Sequence, residues 1–255
     1  MRVIFAGVGE AFDERYGNTC VVISAKSGAE NRQILLDCGF TGAHDFWRYS
    51  PAPMDLDAIW ISHFHGDHFM GTPLLLLRFW EEKRVKPLMI IGQSGITEKI
   101  ESSLDLAYPG IRDKLQYGIN FHEVSEGTSL ELLDFKWSFA LSGHSSSCLA
   151  LRLDSENRSI FYSGDGNPTE KTCLLAKGCD LLIHEAFGIE NDYPGHGTVD
   201  LCLDLARAAE ADKLVLVHIN RDVRRKTWKK IQRKLSRLKE VKAILAEPGE
   251  ELFLG

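Results

Sequence analysis

Residues 63 to 68 read His-Phe-His-Gly-Asp-His directly after the apolar run Ala58 to Ser62, and this hexapeptide restricts the fold more than any other segment. Three imidazoles and a carboxylate packed so closely are costly to bury unless a cation neutralises and orients them. On a helix His63 and His65 would lie on different faces, whereas at the end of a strand residues two apart point the same way. Asp67 and His68 then fall on the turn that follows. The cluster predicts a metal site on a strand-to-helix loop, and His and Asp are common zinc ligands. A structural zinc finger is disfavoured, because no cysteine pair stands at ligand spacing.

The remaining sequence reads as a scaffold for that loop. A chain of 255 residues, 44% hydrophobic and 26% charged, has an ordinary globular composition and ample length for a core. We read residues 1–255 as a single domain. No apolar run approaches the roughly 20 residues of a membrane helix. The N-terminus lacks the length and cleavage site of a signal peptide and begins a strand instead. The six cysteines, Cys20, Cys38, Cys148, Cys173, Cys179 and Cys202, lie mostly in apolar segments. They look like small buried hydrophobes in a reducing compartment, which points to the cytoplasm.

Short β-branched runs bounded by Gly, Pro, Asn or Asp predict strands at 3–6, 19–24, 33–36, 58–62, 88–91, 129–133 and 136–141. Further runs fall at 148–153, 159–162, 181–184, 214–218, 243–245 and 251–254. Helical spacing appears over 69–83, 94–108, 169–177, 198–211 and 222–239. Many strands with few helices between them argue for two packed sheets with helices outside, an α/β layered arrangement.

Six positions cannot saturate two metals, so further donors must come from distant strand ends. His144 follows Phe139-Ala-Leu-Ser-Gly, Asp165 follows Ile160-Phe-Tyr-Ser-Gly, and His218 ends Leu214-Val-Leu-Val. Such strand ends are where open sheets gather functional groups. Taken in order, these motifs resemble the metallo-β-lactamase superfamily over the whole chain. Gly7-Val-Gly9, Phe12, Gly17-Asn-Thr and Leu35-Leu-Asp-Cys-Gly39 are similar to the ribonuclease Z and cyclic-phosphodiesterase branch. The resemblance implies an αββα four-layer sandwich of two mixed sheets flanked by helices, with a dinuclear site at the sheet edge. It implies that His63, His65 and His144 hold one metal, that Asp67, His68 and His218 hold the other, and that Asp165 bridges them. The expected cofactor is two Zn2+ per chain, with Mn2+ or Fe2+ as substitutes. Two such ions clamp a water and lower its pKa, which supplies a bridging hydroxide for in-line attack on a phosphodiester. Asp67 would also orient that nucleophile.

His184-Glu-Ala-Phe and Gly195-His-Gly-Thr resemble the His-Glu-Ala-Thr and Gly-His-Ser-Thr elements of the ribonuclease Z branch. The resemblance implies that Glu185 and His196 cooperate at the leaving oxygen, Glu185 fixing the imidazole tautomer. His184 itself reads as a structural hydrogen-bonder. One departure matters for substrate. Ribonuclease Z carries a long arm that grips tRNA between the elements matching His144 and Asp165, where this chain has only Ser145 to Gly164. Two substrate classes therefore stand as expectations, a ribonuclease Z-like RNA phosphodiester and a small cyclic or organic phosphodiester, and the missing arm speaks against processing of tRNA 3′ ends.

Charge adds one further signal. Arg221 to Lys242 holds eleven Lys or Arg against two acids, a balance of +9, which leaves -15 on the rest of a chain whose net charge is -6. Helix 222–239 is either a solvated amphipathic helix or a track for RNA. The functional expectation is a metal-dependent phosphodiesterase, with a homodimer implied by the resemblance. The alternatives are a thioester or lactone hydrolase on the same site, a mononuclear iron dioxygenase, and a non-catalytic nucleic-acid binder.

Overall fold

The computed structural model describes residues 1–27, 30–190 and 193–255. Its first sheet contains β1 (Arg2–Gly7), β2 (Cys20–Ser27), β3 (Glu30–Leu36), β4 (Ala58–Ile61), β5 (Leu88–Gln93) and β6 (Ile119–Val124). The second contains β7 (Ser129–Leu132), β8 (Phe135–Leu141), β9 (Leu149–Asp154), β10 (Ser159–Tyr162), β11 (Leu181–Glu185), β12 (Lys213–Val217) and β13 (Lys242–Leu245). The last strand, β14 (Glu250–Phe253), returns to the edge of the first sheet beside β1. The strand orders are β14-β1-β2-β3-β4-β5-β6 and β13-β12-β11-β10-β9-β8-β7. Both sheets are mixed: β3 to β6 run parallel, as do β10 to β13, and the other pairs are antiparallel.

The helices are α1 (Gly42–Tyr49), α2 (Gly66–Phe69), α3 (Thr72–Glu81), α4 (Ile96–Ala107), α5 (Glu170–Ala176), α6 (Val199–Ala208) and α7 (Arg221–Leu235). Alternation along the strands decides where they lie. Val3, Phe5, Ile23 and Trp60 of the first sheet meet Trp137, Phe139, Leu151 and Ile183 of the second in a common core. Trp60 and Phe139 stack there at 5.1 Å between ring centroids. The opposite face of the first sheet, through Ile4, Leu35 and Ile59, buries Phe46, Leu76, Phe79 and Leu104 of α1, α3 and α4. On the second sheet Leu182, Leu214 and Leu216 bury Cys202, Leu205, Ile231 and Leu235 of α6 and α7. Strands apolar on both faces thus build the four-layer αββα sandwich.

Several boundaries differ from the sequence reading for local reasons. The helix expected over 69–83 is broken into α2 and α3, because the Gly71 N–H donates to Cys38 O (2.9 Å) rather than to a helical carbonyl. Helix 222–239 is α7 and stops at Leu235, with Ser236 as its C-cap. Arg224, counted among its solvated cations, is 2% exposed and lies over the Tyr16 ring at 3.9 Å. α1 and the edge strand β6 were not anticipated. α1 has no side-chain N-cap, and β6 is nowhere fully buried.

Candidate metal centre

The chain leaves β4, buried throughout, at Ser62 and turns at once into α2, where His65 is the N-cap and the His68 N–H returns to His65 O at 3.0 Å. This turn is held by main chain. Cys38 N–H donates to His68 O (2.7 Å), and a Cβ on Gly39 would stand 1.8 Å from Asp67 O. Only glycine permits so close an approach. The other donors arrive from the second sheet: His144 after β8, Asp165 after β10 and His218 after β12. Ser62 O accepts from Leu149 N–H (3.0 Å) and Val8 O from His218 N–H (2.8 Å), stitching the two sheets together at this end.

All seven residues converge. Donor atoms of His63, His65, His144 and Asp165 lie within 4.8 Å of one another, as do those of Asp67, His68 and His218. Asp165 faces both groups: Oδ2 is 3.9 Å from His63 Nε2, while Oδ1 is 3.3 Å from His68 Nε2 and 3.7 Å from His218 Nδ1. His63 Nε2, His68 Nε2, Asp165 Oδ1 and His218 Nδ1 are buried and have no hydrogen-bond partner among the described residues. An unpaired buried polar atom costs about 1–3 kcal/mol. Four of them aimed at one region are what a cation site requires, so these residues fit a divalent metal. His218 has φ 55°, a left-handed conformation that is uncommon outside glycine and concentrates at functional sites.

The local electrostatics favour positive charge on His68 and His218 but oppose it on His63. Burial would lower the pKa of His218, but the charges of Asp165 and Asp67 overcome it and raise the value to about 9. His68 moves well upward in the same way, burial being outweighed by Asp165 and Asp37. Burial would push Asp165 up, yet His218, His68 and His63 hold it well below the ordinary carboxylate range. His63 is driven well down, first by burial and then by the charge of His68.

One residue of this centre was quoted in the sequence only as part of a motif. Asp37 is fully buried at φ 57° and accepts four hydrogen bonds: Ser62 N–H (2.8 Å), Ser62 Oγ–H (2.8 Å), Tyr162 O–H (2.6 Å) and His68 Nδ1–H (2.7 Å). Ser62 Oγ in turn takes His63 Nδ1–H at 3.1 Å. His144 Nδ1 must likewise carry a proton, because its partner at 2.7 Å is the carbonyl of Gly195. Fixing Nδ1–H on His63, His68 and His144 leaves each Nε2 with its lone pair turned inward, the tautomer a metal needs. The signal in the sequence was a carboxylate ending the apolar strand Ile34-Leu-Leu with no local partner.

Glu185 and His196 meet beside this centre. Glu185 Oε1 accepts from Gly166 N–H (2.8 Å), Gly197 N–H (2.7 Å) and His196 Nδ1–H (3.1 Å), and Oε2 accepts from Phe187 N–H (2.9 Å). Burial opposes protonation of His196, but the hydrogen bond and charge of Glu185 win and the net shift is upward. With donor atoms of His196, Asp165 and His218 also within 4.8 Å of one another, His196 borders the metal donors. His184 is buried and gives its Nδ1–H to Glu185 O at 2.7 Å, a structural bond. The hydroxyls of Ser145, Ser146 and Ser147 are not engaged among the described residues; only the Ser147 carbonyl is used, by Gln93 Nε2 (2.8 Å).

The cations of α7 are largely neutralised. Arg221 pairs with Glu10 (2.8 Å), Arg225 with Asp222 (2.9 Å), Lys230 with Glu190 (2.7 Å) and Lys234 with Asp200 (2.7 Å). A groove of about 940 Å3 lined by Arg2, Arg32, Phe135 and Arg158 lies at the other end of β1 and contains none of the site residues. Among the described residues no helix is long and apolar enough to cross a membrane.

Two sheets between two helix layers, with His and Asp donors gathered at their shared edge, define a metal-dependent hydrolase of the metallo-β-lactamase fold. Solved structures agree on that fold. YhfI from Bacillus subtilis, a metallo-β-lactamase fold protein, superimposes with a TM-score of 0.80 over 98% of both chains at 21% identity. The short form of human tRNase Z does so at 0.79 over 100% of both, at 23% identity. The family model for anti-Pycsar protein Apyc1 matches residues 1–241, and the chain belongs to that family. Ribonuclease Z of Methanothermobacter thermautotrophicus is 27% identical over 273 residues, covering 86% of this chain and 87% of the relative.

Proposed function

We propose that this chain is a phosphodiesterase that works with two zinc ions and cleaves a small phosphodiester rather than a tRNA precursor. The observation that carries the reading is Asp165, whose two oxygens face separate donor groups, one containing His63 and the other His68 and His218. In this reading His63, His65 and His144 would hold one ion, Asp67, His68 and His218 would hold the other, and Asp165 would serve both. The bound ions would stabilise charge on the phosphoryl oxygens and make water a competent nucleophile near neutral pH.

The chain's own residues supply the rest. Asp67, held by His218 Nε2 at 3.1 Å, orients the attacking water. As a new bond forms from the water oxygen to phosphorus and the surplus proton of the water is released to solvent, the bond from phosphorus to the leaving oxygen breaks, and His196 delivers a proton to that oxygen. Glu185 keeps Nδ1 of His196 engaged, so Nε2 is the nitrogen presented to the substrate. A small substrate is favoured because the segment Ser145 to Gly164 forms only a loop and the β9–β10 hairpin, and because acids of the same molecule already occupy much of α7.

The test is metal content measured beside a substrate panel of cyclic nucleotides, aryl phosphodiesters, 3′-extended tRNA and acyl thioesters. About two zinc ions per chain, with cleavage of small phosphodiesters that is lost in Asp67→Ala, are expected. A single iron, or activity confined to thioesters, would overturn the proposal; cleavage of tRNA in preference to the small esters would overturn the substrate class.

A further inference from the structure

His196 lies between two glycines, Gly195 and Gly197, so neighbouring side chains do little to set its ring. The one side-chain hydrogen bond it makes among the described residues, Nδ1–H to Glu185 Oε1 at 3.1 Å, still allows the ring to swing about that axis. Phe187 removes the freedom. Its ring lies on one face of the imidazole with centroids 4.6 Å apart and planes 26° from parallel, while His144 meets His196 edge-on at 4.9 Å and 69°. Phe187 is itself immobilised. Tyr193 abuts it at 5.0 Å and 79°, its N–H is held by Glu185 Oε2 at 2.9 Å, and its carbonyl accepts from Asn220 N–H at 3.1 Å. One carboxylate therefore anchors both rings of the stack.

We propose that Phe187 is a positioning residue that fixes the plane of the His196 imidazole so that Nε2 meets the leaving oxygen of the substrate. The proposal rests on reading His196 as the proton donor to that oxygen. A misaligned donor slows a reaction only to the extent that the leaving group needs a proton. Bis(4-nitrophenyl) phosphate expels a stabilised phenoxide and has little need of one; diphenyl phosphate expels a more basic phenoxide and has more.

The experiment measures kcat and KM for both esters on the zinc-loaded enzyme and on Phe187→Leu, Phe187→Met, Phe187→Tyr and His196→Ala, with metal content determined for each. For Leu and Met we expect kcat on diphenyl phosphate to fall about tenfold, below the 10²–10⁴ of losing an acid outright. KM, metal content and the nitrophenyl ester should change by less than about twofold, and Tyr should restore the parent values. Equal losses on both esters, or no loss on either, while His196→Ala is selective for diphenyl phosphate, would overturn the role of Phe187. A His196→Ala enzyme that shows no such selectivity, or a parent that cleaves neither ester, removes the reading of His196 itself. Should Leu fail to retain metal, Met and Tyr still decide the question.

Discussion

Gly39→Ala isolates the support of the hexapeptide from the core of the sandwich. The added methyl would lie 1.8 Å from Asp67 O, 2.2 Å from Asp67 C and 2.8 Å from Asp67 Cα. All three are main-chain atoms, so no rotamer change relieves the clash. Ordinary contact begins near 3.5 Å, and restoring it demands a relative shift of about 1.5 Å or more between the two segments. Metal sites tolerate ligand displacements of only about 0.2 Å. The movement falls directly on Asp67 and, through the bond from Cys38 N–H to His68 O (2.7 Å), on His68. The variant should therefore bind metal about 10–100-fold more weakly. The hydrophobic layers, which contain neither Gly39 nor Asp67, should still form.

Competition against a chromogenic chelator measures the affinity, and far-ultraviolet circular dichroism with a urea titration reports whether the sandwich survives. Gly118→Ala is the matched control, since its methyl would meet nothing within 4 Å. If Gly39→Ala holds metal as tightly as the parent, Asp67 and His68 do not depend on this contact and the argument fails. If the variant is unfolded, the contact supports the whole fold rather than the site.

Asp37→Asn should lower metal affinity about 10–100-fold by weakening the hydrogen bond that holds His68 Nδ1–H (2.7 Å), read by the same competition assay; an unaltered affinity refutes it. Affinity should also depend on pH through His218. Its pKa is raised to about 9, so protonated His218 supports the fold fully below the ordinary value and that support is lost as pH rises through about 9. A cation displacing that proton binds more weakly as pH falls below about 9, by up to about tenfold per unit, and calorimetry should record proton release; a flat profile with no release would contradict this. Arg84 is 1% exposed, and its guanidinium serves the carbonyls of Met54, Leu56, Lys86 and Pro87 between the rings of Phe79 and Tyr117. Arg84→Met should cost at least about 3 kcal/mol in urea unfolding without altering metal stoichiometry, and a loss below about 1 kcal/mol would show those carbonyls find other partners.

How far such features could be read from the chain depends on how local their causes are. The hexapeptide was legible because its donors are adjacent in sequence and its strand-to-loop placement follows from Ala58 to Ile61. His144, Asp165 and His218 were legible because each ends an apolar run that must stop where the sheet meets solvent. Asp37 was not legible as a hub, because its partners come from two other segments, Ser62 and His68 from the turn after β4 and Tyr162 from β10. Arg224 shows the opposite failure. Charge marked it as solvated, but Tyr16 and Trp228 cover it (ring centroids at 3.9 Å and 5.7 Å), and Tyr16 comes from the other end of the chain. The short α1, Gly42-Ala-His-Asp-Phe-Trp-Arg-Tyr, has only eight residues and no side-chain N-cap to mark its start, and it is held by Phe46 buried under the first sheet.

The division of donors between the sheets ties chemistry to folding. His63, His65, Asp67 and His68 belong to the first sheet, and His144, Asp165 and His218 to the second. Neither set alone brings together both donor groups, and Asp165 reaches His63 and His68 only across the interface. The bond from Tyr162 O–H to Asp37 (2.6 Å) crosses at the same end of the sandwich. A cation held by both sets binds the docked sheets and not the separated ones, so its binding free energy adds to their association by mass action. The core that unites Trp60 with Phe139 must in turn supply the docking free energy before any metal is bound, because the donor atoms repel or remain unpaired until the sheets have met. Apolar burial between the sheets and cation binding at their edge are thus successive steps of one assembly, and the site is only as well defined as the packing beneath it.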